Sequence, residues 1–196
     1  MASPDACDNL IPGQGLLGDL YYLEPSMASL FNGDLGSAKI EDYRSIGIKA
    51  PNRVLMTEVN VPKRYWTDGF STGDGNFVKT ENGQALNEFF HLDLRGYLSL
   101  PPGEYQLATV SDDAVRVTLK GTQIISNLAI HAAMWDFSQK ITFTNEDLKK
   151  AIRIEYFQGP RVELALQLLV RPWNQSNLEC GRGGSFLELG PSTYSH

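Results

Sequence analysis

TVSDDAVRV, residues 109–117, decides how the rest of the chain is read. Apolar and polar residues alternate on either side of two adjacent carboxylates, Asp112 and Asp113. Alternation with period 2 puts every second side chain on one face of a strand, so the stretch reads as two strands meeting at an acidic joint. One Asp suffices for a turn, because its side chain can cap the backbone two residues on. A second, adjacent carboxylate adds like-charge repulsion, which raises carboxyl pKa values unless a positive group is near. The doublet is either solvated turn chemistry or the anionic half of a cation site.

Working outward, the same alternation recurs. EYQLATVS (104–111) follows the turn PPG (101–103), and VRVTLKG (115–121) stops at a glycine. AIRIEYF (151–157) and VELALQLLV (162–170) flank QGPR (158–161), a pattern that predicts a hairpin. LLGDLYYL (16–23), EFFHLDLRGYLSL (88–100) and KITFT (140–144) add further strands. NEDLKKA (145–151) predicts a short helix, with Asn145 as N-cap, acids in the first turn and lysines in the last. One or two helical turns are expected near MASLF (27–31). Residues 62–85 and 127–139 read as long loops, where binding residues often sit. Many short strands between turn signals predict an all-β antiparallel sandwich or barrel with long loops and at most short helices.

At 196 residues the chain fits one large domain, or at most two small ones. Its formal net charge of −6 argues against nucleic acid as a partner, because that affinity rests on Lys and Arg neutralising phosphates. Cations or neutral ligands suit it better. No apolar run approaches the roughly 20 residues of a membrane span, so no membrane insertion is expected. MASPDACDNL at the start has neither a basic nor an apolar region of the kind a signal peptide carries. Cys7 and Cys180 form no metal-ligand spacing; they are either a bridge or two separate thiols. His91, His131 and His196 stand in no ligand pattern, and His91 reads as a structural strand residue. Nucleophile-elbow, zinc-protease and phosphate-loop motifs are absent, and adjacent carboxylates do not offer the separation that glycoside hydrolysis needs. The chain is therefore read as a non-enzyme. Calcium suits the doublet, since it takes six to eight oxygens in irregular geometry.

GLLGDLYY (15–22), RGYLSLPPGEYQLATVSDDAVRVTLKG (95–121) and IRIEYFQGPRVELALQLL (152–169) resemble, in order and spacing, the PA14 domain. VPKRYWTDGF (61–70) and NEFFHLDLRGYL (87–98) add to the likeness, which runs from about residue 13 to residue 172. PA14 is a barrel-like β-sandwich of bacterial toxins, glycosidases, yeast flocculins and bacterial adhesins. The resemblance implies a single domain over 1–196, with residues 173–196 an extension packed on it. In lectin-type members the two Asp of the SDD turn are joined by a cis peptide and chelate Ca²⁺, completed by a side-chain amide and backbone carbonyls. Carried over, that implies Asp112, Asp113 and Gln158, with carbonyls of Gly159 or Arg161 as further donors. Ala114 stands where the family has Gly after SDD, LKG (119–121) where it has IDG, and NEDLKKA replaces the usual approach to the next strand; none touches those ligands.

The function implied is a calcium-dependent lectin or adhesin module that recognises vicinal hydroxyls of glycans on another cell's surface. Trp66 or Trp135 would stack on the sugar, unless they pack in the core. Millimolar single-site affinity, worth about 4 kcal/mol, would be raised by multivalent display on a larger assembly. The address implied is extracellular or cell-surface, on an exported bacterial protein, which makes a Cys7–Cys180 disulfide the expectation. The alternatives are a structural or protein-binding PA14 module, or an accessory carbohydrate-binding domain of a glycosidase.

Overall fold

The computed structural model describes residues 15–73, 75–173, 187–190 and 193–196. Two antiparallel sheets pack face to face. The larger has the order β2 (Ile48–Lys49), β1 (Leu16–Tyr22), β5 (Phe90–Ser99), β11 (Lys149–Gln158), β7 (Ala114–Leu119), β8 (Thr122–Asn127). To it are added β3 (Val54–Met56) on β1 and β14 (Tyr194–Ser195) on β5. The smaller runs β10 (Ile141–Phe143), β6 (Gly103–Asp112), β12 (Glu163–Pro172), β13 (Leu187–Glu188), with β4 (Asn60–Tyr65) on β12 and β9 (Met134–Phe137) on β6. This is the all-β sandwich the alternation predicts.

The alternating residues point where period 2 says they must. Leu92, Leu94 and Leu98 of β5, Val115 and Val117 of β7, and Ile152, Ile154 and Tyr156 of β11 are buried. They share one core with Leu107 of β6 and Leu164, Leu166, Leu168 and Val170 of β12. Each such side chain contributes about 1.5–3 kcal/mol on burial. Between β7 and β8, Lys120 (φ 50°) and Gly121 (φ 80°) make the left-handed two-residue turn that suits the twist of a hairpin.

A second apolar cluster lies outside this sandwich. The helix α1 (Ile40–Ser45) and 3-10 helices at Pro25–Phe31 and Leu35–Ser37 bring Leu23, Leu35, Ile40 and Tyr43 against Phe157 and Ala114. The Pro25–Phe31 turns are those expected near MASLF; α1 is an addition to the expected elements, and Ile40 and Tyr43 at i, i+3 and Asp42 reaching back to the Lys39 N–H (2.7 Å) are its signature. His91 is enclosed here as a structural residue. Its Nδ1 donates to the Tyr156 carbonyl (2.9 Å), and burial pushes the imidazole down to about 4.

Three expectations are corrected. Residues 151–157 and 162–170 form no hairpin: β11 belongs to the larger sheet and β12 to the smaller, so QGPR is a crossing between sheets. Alternation reports faces, not partners, and both readings have the same pattern. NEDLKKA is not a helix. Thr144 bridges to Asp147, β11 begins at Lys149, and the Lys150 ammonium stands over the Phe143 ring at 4.8 Å. Tertiary pairing overrides a marginal local preference. The expected loops 62–85 and 127–139 contain the end of β4, a 3-10 turn at Trp66–Asp68 and the edge strand β9. Cys7 and Cys180 lie outside the described residues. Among the described residues, no helix is long and apolar enough to cross a membrane.

Candidate functional site

Asp112 is the last residue of β6 in the smaller sheet, and Ala114 the first of β7 in the larger. Asp113 is therefore the whole connection between two sheets, and the peptide joining it to Asp112 is cis. The Gln158-to-Glu163 crossing returns at the same end: Phe157 pairs with Ala114, and Ala165 with Asp112. Two crossings side by side build the site.

Both carboxylates are buried, at 6% and 3% exposure. Asp113 accepts the His131 N–H on Oδ1 (3.0 Å) and the Gly159 N–H on Oδ2 (2.7 Å). The Ala133 backbone N–H also favours the charged form of Asp112. Such bonds favour the charged form. They are outweighed: burial first, then the Asp113 charge, push the Asp112 carboxyl up to about 6, and burial raises Asp113 as well. Neither acid has a Lys or Arg ion-pair partner among the described residues. A Cβ on Gly159 would stand 2.9 Å from Asp113 Oδ2, so only glycine lets this backbone N–H come so close.

Beside the pair lies a cavity of about 240 Å³, lined by Asp112, Asp113, Glu163, Ile130, Pro160 and Val162 among others. The neighbouring Gln158 side chain is fully buried. Its Nε2 donates to the Glu163 carbonyl (3.0 Å), and its Oε1 meets the Tyr156 hydroxyl, which also donates to the Asp112 carbonyl. The Gly159 carbonyl accepts the Phe89 N–H (3.1 Å). Arg161 turns outward, pairing with Glu88 (2.6 Å) and covering the Trp66 ring at 5.1 Å. Trp135 is on β9, paired with Val110, half-exposed and stacked on Phe137 at 5.9 Å. The fold thus gathers Asp112, Asp113, Gln158 and Gly159, and sets Arg161, Trp66 and Trp135 around them without bringing those three to the carboxylates.

No family model and no curated protein matches the chain. Solved structures do. A PA14 sugar-binding domain from an RTX adhesin covers 93% of this chain and 98% of its own at 20% identity, with TM-score 0.60. The PA14 domain of the antifreeze protein MpAFP covers 99% and 96% at 16% identity, TM-score 0.63. This chain has the PA14 fold. The A domain of Epithelial Adhesin 6 from Candida glabrata, in complex with Galb1-3GlcNAc, shares it at 15% identity over 96% and 89%, TM-score 0.59. An anti-sigma factor domain-containing protein does so at TM-score 0.58, and the chain spans 47% of that protein's length.

Within this PA14 fold, the carboxylates are anchored by groups the sequence does not advertise. His131 and Ala133 act through backbone N–H groups, which any residue but proline supplies. Tyr156 and Glu163 had a sequence signal in their position beside Gln158 and at the start of β12, but one read as strand alternation. Among the described residues, no three His, Cys, Asp or Glu side chains gather as a metal-ligand group. A cation here would rest on two carboxylates, with neutral oxygens for the remainder.

Proposed function

We propose that this chain is a calcium-dependent carbohydrate-binding module of adhesin type, recognising vicinal hydroxyls of cell-surface glycans. One observation carries the reading: two adjacent carboxylates are buried at the rim of a cavity and, among the described residues, no Lys or Arg side chain pairs with them. Burying anions without partners is expensive, and a divalent cation is the chemistry that compensates two at once. The donor set fits a hard cation, since every candidate atom is oxygen.

Asp112 and Asp113 hold the ion, kept in place by the N–H groups of His131, Ala133 and Gly159. The Gln158 amide and the backbone carbonyl of Gly159 or Arg161 supply the neutral donors. Gln158 would exchange its Tyr156 contact for the ion, and Gly159 its Phe89 one. Calcium, when bound, supplies open coordination positions for two sugar hydroxyls. The carboxylates accept hydrogen bonds from those hydroxyls and so fix their orientation. Trp135 is the better placed aromatic to stack on sugar, because Trp66 is capped by Arg161. Glycan-binding structures of the same fold support the reading. An extracellular or cell-surface address with multivalent display follows from weak single-site affinity.

Isothermal titration of chelated protein tests the ion, expected at about one site per chain. A glycan array with calcium and with EDTA tests the sugar. Calcium-independent signals, or none from a folded, calcium-loaded multimer, would favour a structural module instead.

A further inference from the structure

We infer that the outer face of the larger sheet carries a second, calcium-independent binding site, whose ligand is a short oligosaccharide bearing sulfate or carboxylate groups. Arg95 of β5 stands directly opposite Arg153 of β11. Like charges so placed repel. Both guanidinium groups bind Asp93, so two cations share one anion. The anion lies beneath them: the Asp93 side chain is 4% exposed and that of Arg95 60%. Solvent meets guanidinium there.

The register extends this row across four strands, as Leu17, Arg95, Arg153 and Thr118. All four line an open cavity of about 740 Å³, together with Tyr97 and Arg53. Arg53 is exposed, and Asp19, its partner at 3.6 Å, also binds Lys49 at 3.0 Å. The Lys149 ammonium, over the Tyr97 ring at 4.5 Å, adds a cation beside the cavity. Among the described residues, no Asp or Glu side chain lines it. His196 does, and one negative charge on its carboxyl group would still leave the cations in excess. A chain of net charge −6 thus gathers positive charge in one concavity. Guanidinium forks match carboxylates and tetrahedral oxyanions.

The setting favours a glycan over other polyanions. Strands β1, β5, β11 and β7 are each paired on both sides, so an acidic peptide finds no edge to extend. A nucleic-acid duplex needs cations along its length, which an acidic chain does not offer. The volume lies within the range of small-ligand pockets, about 300–1,000 Å³. Anionic groups would meet the arginines, hydroxyls Thr118, and a sugar's C–H face Leu17. The site is distinct from the acid pair: Phe157, paired with Ala114 beside Asp113, is four residues along β11 from Arg153, about 13 Å.

The test is titration of a heparin tetrasaccharide into the full chain, stripped of calcium and dialysed free of chelator. Saturable binding that weakens as salt rises is expected, with none for neutral maltotetraose. Arg53→Ala and Lys149→Ala, both at exposed positions, should each weaken it about three- to fivefold. Arg95→Gln, which leaves Arg153 on Asp93, should weaken it about tenfold. Lys140→Ala, outside the cavity, should change nothing. No binding, equal binding of maltotetraose, undiminished binding by the Arg53 and Lys149 variants, or an equal loss from Lys140→Ala would overturn the site. A glutamate peptide or DNA duplex of equal charge that binds more tightly would overturn the saccharide assignment. Calcium is absent throughout, so the lectin reading stands or falls separately.

Discussion

Asp93 and Glu155 face each other across β5 and β11, while Asp112 and Asp113 sit side by side where β6 passes into β7. Each pair brings two negative charges out of water. On the outer face of the larger sheet, Arg95 (3.2 and 2.8 Å) and Arg153 (2.7 and 2.8 Å) both grip Asp93 with two nitrogens. Glu155 takes Arg116 (2.7 and 2.9 Å), Arg153 (3.0 Å) and Arg44 (3.2 Å). Burial alone would raise both carboxyls, but the arginines override it and hold both below the usual range. At the crossing Arg161 pairs with Glu88 rather than with the carboxylates, and burial with mutual repulsion lifts Asp112 to about 6. The first pair completes its charge balance within the chain. The second has no Lys or Arg partner among the described residues, and that is the contrast between the two pairs.

Four experiments break or sharpen that contrast. The largest effect is expected from Asp113→Ala, which should weaken calcium binding, read by titration, by more than the roughly hundredfold that outer-shell partners of a metal carry. Undiminished affinity would sink the assignment. Glu155→Ala should leave calcium affinity as it is and lower stability in urea by about 2–4 kcal/mol, because Arg116 then loses its bidentate partner in a part-buried setting.

Asp112→Asn should do the opposite to stability. In chelator at pH 7 it removes one of two repelling buried charges, a gain of about 1–2 kcal/mol that calorimetry would read as a higher Tm. The pH dependence follows from the sign of the shift. Because the folded pKa of Asp112 is raised, its contribution to stability is largest below about 4 and is lost as pH rises to about 6. The advantage of Asp112→Asn over the parent should therefore shrink towards zero near pH 4. Asp93 and Glu155 act in the reverse sense: their contribution is present above the ordinary carboxyl range and is lost as pH falls through their depressed values. The smallest effect is expected from Gly159→Ala. Its Cβ would crowd Asp113 Oδ2 and tilt one carboxylate, weakening calcium several-fold, about 1 kcal/mol, at nearly unchanged stability.

Much of this was legible in the chain itself. Alternation in 92–98, 104–111, 115–119 and 152–156 determined which side chains enter the core, because a strand offers only two faces. The SDD joint marked the one place where two like charges needed an explanation, and EYFQG placed Gln158 and Gly159 beside it. What only the tertiary structure decided is pairing. A period of two says in or out and nothing about which strand lies alongside, so 109–117 and 151–170 could equally be hairpins or crossings. They are crossings, and that is why residues 112–113 and 158–163 meet. Pairing also decided which acids receive arginine. Asp93 and Asp112 look alike in sequence, yet Arg153 lies opposite Arg95, within reach of Asp93 on the neighbouring strand, whereas the strand beside Asp112 presents Ala165. The N–H donors of His131, Ala133 and Gly159 had no signature at all, since the backbone is the same at every residue but proline and only its placement makes it a ligand.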